Sequence, residues 1–191
     1  MVHENSDRTI MTVKPKSKYE IERKFLVRDA DLAEVELKLL DIHSVYLDVE
    51  AINDLDLEGV PKVAAPDLNR HESRIRHITH GDNHEYWLTS KVGERKMTRE
   101  ETEAKIDVDT FNKLKDKFGQ AEIFKKRFEF TYLRKKFELD VFPEQRIMIL
   151  EVELDSENQM FAVPPFVDII REVTDDTDYY NFNLANKIIE E

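Results

Sequence analysis

The feature that most constrains this chain is the spacing of its charged residues, which fall two apart in segment after segment. That is the side-chain period of a β-strand, where residues i and i+2 share a face. In the stretch 18–28, Glu20, Glu22 and Lys24 share one face while Tyr19, Ile21 and Phe25 share the other. The arrangement returns in Arg74 and Arg76, in Thr89 and Lys91, in Arg99, Glu101 and Glu103, and in Lys125 and Arg127. It returns again in Glu138 and Asp140 and in Glu151 and Glu153. The opposite faces are apolar: Tyr86 and Leu88; Phe124, Phe128, Phe130 and Tyr132; Phe137, Leu139 and Val141; Leu150, Val152 and Leu154. Strands are therefore predicted at about 18–28, 42–50, 71–79, 84–91, 97–106, 121–132, 135–142 and 146–155, and eight strands suffice to close a barrel.

Helical spacing interrupts the strands at about 29–40, where Leu32, Val35, Leu37, Leu39 and Leu40 recur among acids. It does so again at 109–118, where Phe111, Leu114 and Phe118 share a face, and a last helix is expected over 178–190. His80-Gly81-Asp82-Asn83 and Leu133 to Lys135 read as hairpin turns, so the pairing is mostly antiparallel. Residues 51–70, with Gly59, Pro61 and Pro66, read as a long loop. Residues 1–17 lack a sustained period and read as a flexible tail ahead of a single domain over 18–191.

The absence of cysteine removes disulfides, thiolate metal sites and cysteine nucleophiles. An acidic balance of 41 Asp plus Glu against 29 Lys plus Arg lacks the basic footprint of general nucleic-acid binding. No apolar run is long enough to span a bilayer and no secretory leader is visible, so a cytoplasmic protein without a membrane partner is expected, as a monomer or homodimer.

Alternation leaves two arrangements open. In an ordinary sheet the charged faces point to solvent. In an inverted barrel they point inward, and the helices cover the apolar outside. Segregation by strand favours the second, since scattered surface charge has no reason to put basic residues on some strands and acidic pairs on others. A lumen holding both signs suits a triphosphate tail: Arg and Lys grip its oxygens. Paired carboxylates would repel that tail unless a hard divalent cation, Mg²⁺ or Mn²⁺, lay between them. His43, His71, His77, His80 and His84 fit no metal-ligand spacing and are expected as surface histidines. Ser73 and Ser90 lack a base at recognisable spacing.

Taken together, Glu20-x-Glu22-x-Lys24, Arg74-x-Arg76, the strand Tyr86 to Lys91, Arg99-x-Glu101-x-Glu103, Lys125-x-Arg127, Glu138 to Phe142 and Glu151-x-Glu153 resemble, in order, the motifs of the CYTH superfamily, the triphosphate tunnel metalloenzymes. The closing segment Glu172-Val173-Thr174 with Tyr179, Asn181, Leu184 and Ala185 is similar too, so the resemblance covers about 18–188. It implies an α+β fold, a closed eight-stranded antiparallel barrel with helices packed outside, and metal-dependent hydrolysis of a triphosphate, most simply inorganic tripolyphosphate. By resemblance Arg74, Arg76, Lys91, Arg99, Lys125 and Arg127 bind phosphate. Glu20, Glu22, Glu151, Glu153 and Asp140 hold the metal, Glu22 also has a catalytic part, and Lys24 contacts phosphate or orients water. Alternatives are a class IV-type adenylate cyclase, a thiamine triphosphatase, an enzyme for RNA 5′-triphosphate ends, or a non-catalytic polyphosphate- or nucleotide-binding module. The segment 48–70 is longer and more acidic than a minimal member needs, and is expected to cover part of one tunnel mouth.

Overall fold

The computed structural model describes residues 16–48, 71–93 and 98–187. In chain order the elements are β1 (Lys16–Ala30), β2 (Lys38–Leu47), β3 (His71–His80), β4 (Asn83–Val92), β5 (Thr98–Ile106), α1 (Val108–Phe118), β6 (Gly119–Tyr132), β7 (Lys135–Phe142), β8 (Ile147–Glu153) and β9 (Val167–Glu172). A 3₁₀ turn (Thr177–Tyr179) and the short helix α2 (Asn181–Ala185) follow. The sheet runs β5-β4-β3-β2-β6-β7-β8-β1-β9, and β5 also pairs with β1, which closes eight antiparallel strands into a barrel. The length of β1 makes the closure possible. Its first part, from Lys16 to Ile21, pairs with β5, and its second, from Phe25 to Ala30, pairs with the added strand β9.

The inverted arrangement is the observed one. Two apolar clusters lie on the outside of the wall. Phe25, Val27, Phe130, Phe137, Leu139, Leu150 and Val152 are covered by Leu154, Phe161, Phe166 and Val167 of the segment leading into β9. Val45, Ile75, Leu88 and Ile106 are covered by Phe111 and Leu114 of α1. This helix starts where the Asp107 side chain accepts a hydrogen bond from the Thr110 amide at 2.7 Å, a standard N-cap. It ends at Gly119, where a Cβ would lie 2.5 Å from the Lys115 carbonyl oxygen, so the strand can start directly at the helix end only with glycine there.

A third cluster fills one end of the lumen. Tyr46, Ala121, Ile123, Phe142 and Ile149 pack against Leu184 of α2, and the Tyr46 and Phe182 rings meet edge to face at 5.3 Å. The barrel interior is thus a pocket with an apolar floor, charged above it.

Several expectations need correction. No helix forms over 29–40: β1 continues to Ala30, a turn follows, and β2 begins at Lys38. Leu32 and Val35 supply one turn's worth of outer packing, Leu39 is exposed and Leu40 points inward, which is strand alternation rather than a helical stripe. The final helix is limited to Asn181–Ala185, β1 reaches back to Lys16 inside the expected tail, and β9 was not anticipated. Residues 1–15 and the loop 49–70 lie outside the described residues. Both hairpins form. Gly81 takes φ 57°, while Leu133 and Arg134 make the same kind of turn with φ 45° and 66°. Among the described residues no helix is long and apolar enough to cross a membrane.

Candidate functional site

Antiparallel register explains how separate motifs meet. Residues directly opposite one another share a face, so pairings Glu22 with Glu153, Lys24 with Glu151, Glu20 with Arg99, and Arg127 with Asp140 place all eight on the lumen side. Arg74 faces Tyr46 on one side and Thr89 on the other, and Glu72 faces Lys91, which faces Glu101. Every sequence-predicted site residue lies on this inner surface. Above the apolar floor the lumen opens into a cavity of about 250 Å³. Glu20, Glu22 and Glu153 form one part of its wall, and Leu40, Ile42 and Ile78 another.

The deepest charges are densely paired. Asp140 is fully buried and accepts hydrogen bonds from Arg127 Nε and Nη2, both at 2.7 Å, and from Lys125 Nζ. Arg127 also reaches Glu151 at 2.8 Å and Glu138 at the mouth. Lys24 Nζ lies 2.6 Å from Glu151 and 2.9 Å from Glu22. Lys91 joins Glu20 and, at 2.8 Å, Glu101. Arg76 donates to Thr89 at 3.1 Å and pairs with Glu103, and Arg99 lies 3.5 Å from Glu72.

These environments set the protonation states. Burial opposes the charge on Lys24, but Glu151 and Glu22 outweigh it and hold its pKa well above the ordinary lysine value, so it is an ammonium donor. Burial likewise opposes the charge on Lys91, and Glu22, Glu20 and Glu101 raise it to about 12. Lys125 goes the other way: burial first, then the Arg127 charge, bring it down to about 8 despite Asp140. Glu151 resists burial and stays well below the ordinary carboxylate range because Lys24, Lys125 and Arg127 surround it.

Three guanidinium groups are incompletely used. Among the described residues the Nε–H groups of Arg74, Arg76 and Arg99 are buried with no hydrogen-bond partner, while the buried Tyr46 hydroxyl lies against Arg74. Orphaned buried donors cost about 1–3 kcal/mol each, so a lumen holding several is organised around acceptors that a ligand brings. Sequence reasoning missed Tyr46. The run Ile42 to Leu47 is apolar or neutral on both faces, so alternation could not say which residues turn inward. Burial, followed by the Glu72 charge, raises the Tyr46 hydroxyl to about 12 and keeps it a neutral donor.

Among the described residues no three acidic or histidine side chains converge as a metal cage, and Glu20, Glu22, Glu151 and Asp140 are each turned toward a lumen cation. The donor set nonetheless suits a hard cation: Glu20, Glu22 and Glu153 present oxygen only and share the wall of one cavity. Asp140 fits that role least, because Arg127 and Lys125 already engage both its oxygens.

No protein-family model matches the chain. An inorganic triphosphatase from Acetivibrio thermocellus is 31% identical over 106 residues, which span 54% of this chain and 67% of that protein. The crystal structure of the inorganic triphosphatase NE1496 superposes with a TM-score of 0.53 at 32% identity, covering 88% of this chain and 95% of that one. PH1819 from Pyrococcus horikoshii, at 22% identity and a TM-score of 0.52 over 73% of this chain and 80% of its own, shares the fold. With a closed antiparallel barrel, a charged lumen and a relative of this identity and coverage, the chain belongs to the protein family that includes these inorganic triphosphatases.

Proposed function

We propose that the chain is a metal-dependent hydrolase of triphosphates, a CYTH-type triphosphate tunnel enzyme whose preferred substrate is inorganic tripolyphosphate. The observation that carries this reading is the set of buried, unpartnered Nε–H donors on Arg74, Arg76 and Arg99, together with Lys91, Lys125 and Arg127 on the same inner surface. A linear polyanion with many acceptor oxygens satisfies all of them at once, and the similarity to inorganic triphosphatases points the same way.

Arg74, Arg76, Arg99 and Arg127 offer forked donors to non-bridging oxygens, and Lys91 and Lys125 offer point charges. Glu20, Glu22 and Glu153, with Glu151 behind them, would hold a Mg²⁺ or Mn²⁺ ion, which when bound supplies a water of lowered pKa and neutralises phosphate charge. Lys24 is an ammonium between Glu22 and Glu151, so it orients water or a phosphate oxygen by donation and does not act as a base. Asp140 positions Lys125 and Arg127. The lumen holds the chain of phosphates extended and shields it from bulk water, so positioning and electrostatics supply most of the acceleration.

Steady-state phosphate release from tripolyphosphate tests this. Glu22→Gln should lower kcat by about 10²-fold or more, while Arg76→Ala should raise KM at least about tenfold. Full activity in Glu22→Gln, or turnover unaffected by chelation of divalent cations, would overturn the mechanism.

One observation favours a second substrate. Leu40, Ile42 and Ile78 give the mouth an apolar strip that an all-inorganic ligand does not need, and an organic group attached to the triphosphate would cover it. With ATP, release of ADP and phosphate would mark hydrolysis, whereas cyclic AMP and pyrophosphate would mark cyclisation.

A further inference from the structure

Outside the lumen, the outer face of the β3–β4 hairpin brings together three donor atoms that the proposed reaction does not use. His77 Nε2 lies 2.9 Å from His84 Nδ1, and the Thr79 hydroxyl lies 3.4 Å from both. The register places them so: Thr79 pairs directly with His84, and His77, two residues earlier on β3, is their diagonal neighbour on the same face. We propose that this outer face binds one borderline divalent cation of the Zn²⁺, Ni²⁺ or Cu²⁺ class, ligated by His77 and His84 with the Thr79 hydroxyl at its edge.

The triangle has the right size. Donors about 2.05 Å from such a cation are separated by about 2.9 Å at right angles and about 3.3 Å at tetrahedral angles, and the three observed edges match these values. The mount is stiff. The hairpin turns through Gly81 at φ 57°, His80 Nδ1 lies 2.8 Å from the Leu39 carbonyl oxygen and ties the turn to β2, and the His77 ring stacks on Tyr86 at 4.6 Å. Asp41 on β2 stands opposite Thr79, adding a carboxylate at the rim, although Lys126 lies 3.5 Å from it. An adjoining outer cavity of about 280 Å³, walled by Asp41, His43, His77, Thr79, Phe124 and Lys126, leaves room for the water that completes the coordination. Imidazole donors favour borderline cations over Mg²⁺, so this site and the lumen acids select different metals. Neither histidine spacing nor composition shows the site, because the pairing of β3 with β4 creates it.

Calorimetric titration of the full chain with Zn²⁺ at pH 7, with Mg²⁺ as the hard-ion control, tests the assignment. One Zn²⁺ site should appear that weakens at least about tenfold in His84→Ala and in His77→Phe, while Mg²⁺ heats and tripolyphosphate turnover under Mg²⁺ stay unchanged. His84 is exposed, so its replacement leaves the fold intact, and His77→Phe keeps a ring on Tyr86. Ni²⁺ should also broaden the His77 and His84 imidazole resonances before all others. Zn²⁺ affinity unchanged in both variants, or no binding tighter than about 1 mM, would reduce the contact to a histidine–histidine hydrogen bond and overturn the proposal. Loss of tripolyphosphate turnover in wild type would refute the proposed function and leave this site standing.

Discussion

Replacing Asp140 by Asn should destabilise the ligand-free protein and strengthen its grip on a polyanion. Asp140 is fully buried and is the carboxylate against which Lys125 and Arg127 both rest. The substitution keeps the volume and removes the charge, leaving two buried cations with one fewer counter-ion. Removing one partner of a buried ion pair costs about 3–5 kcal/mol. Arg127 retains Glu151 and Glu138, which places the expected loss near the lower end, at about 3 kcal/mol. For a chain of this size each kcal/mol shifts Tm by about 2–4 °C, so Tm should fall by about 6–12 °C. The same lost negative charge makes the lumen more attractive to an anion, by about 1–2 kcal/mol at an effective dielectric constant near that of partly hydrated protein. Metal-free tripolyphosphate should therefore bind about 5- to 30-fold more tightly and restore more of Tm than it adds in wild type. Thermal unfolding with and without tripolyphosphate, and calorimetry in a chelating buffer, measure both effects. A Tm within about 2 °C of wild type with unchanged affinity would refute the view that Asp140 stands in for ligand charge.

Lys125 makes stability depend on pH with a definite sign. Its folded pKa of about 8 lies below the ordinary value of about 10.4, so between these the unfolded chain binds a proton that the folded chain has released. Stability should rise with pH across that window by up to about 3 kcal/mol, and Lys125→Met should abolish that rise in chemical denaturation measured from pH 7.5 to 10. Lys91 has the opposite sign, and its contribution is present below about 10.4 and lost as pH climbs through about 12. Leu184→Ala removes the floor residue that is 1% exposed and should cost about 2–5 kcal/mol in urea unfolding. Gly119→Ala should cost about 1–3 kcal/mol, because the new Cβ meets backbone oxygen rather than a movable side chain.

The lumen was readable because charge alternates strictly on most strands. Once Glu20, Glu22 and Lys24 share a face, register does the rest, and Lys24 lands opposite Glu151 without further information. The floor of the barrel was only partly readable. Ile123 and Phe142 follow the parity of Lys125 and Asp140, but Tyr46 lies in the run Ile42 to Leu47, which carries no Lys, Arg, Asp or Glu, so period alone could not tell it from its outward neighbour Val45. The failed helix over 29–40 has a related cause: leucines at short spacing satisfy a helical template by number, while Leu39 outside and Leu40 inside follow the strand. The short strand β9 carries Asp168, Arg171 and Glu172 among its six residues and owes its pairing to the long free edge of β1, a tertiary feature. Likewise His77, Thr79 and His84 become neighbours only through the β3–β4 register.

The most direct test of the central claim is a single-substrate rate measurement: phosphate release from inorganic tripolyphosphate by the wild-type chain, with Mg²⁺ or Mn²⁺ and again with a chelator. Multiple turnovers to phosphate and pyrophosphate are expected with metal and none with chelator. Tight binding of tripolyphosphate without turnover under either metal would contradict that claim and make the charged lumen a binding site alone.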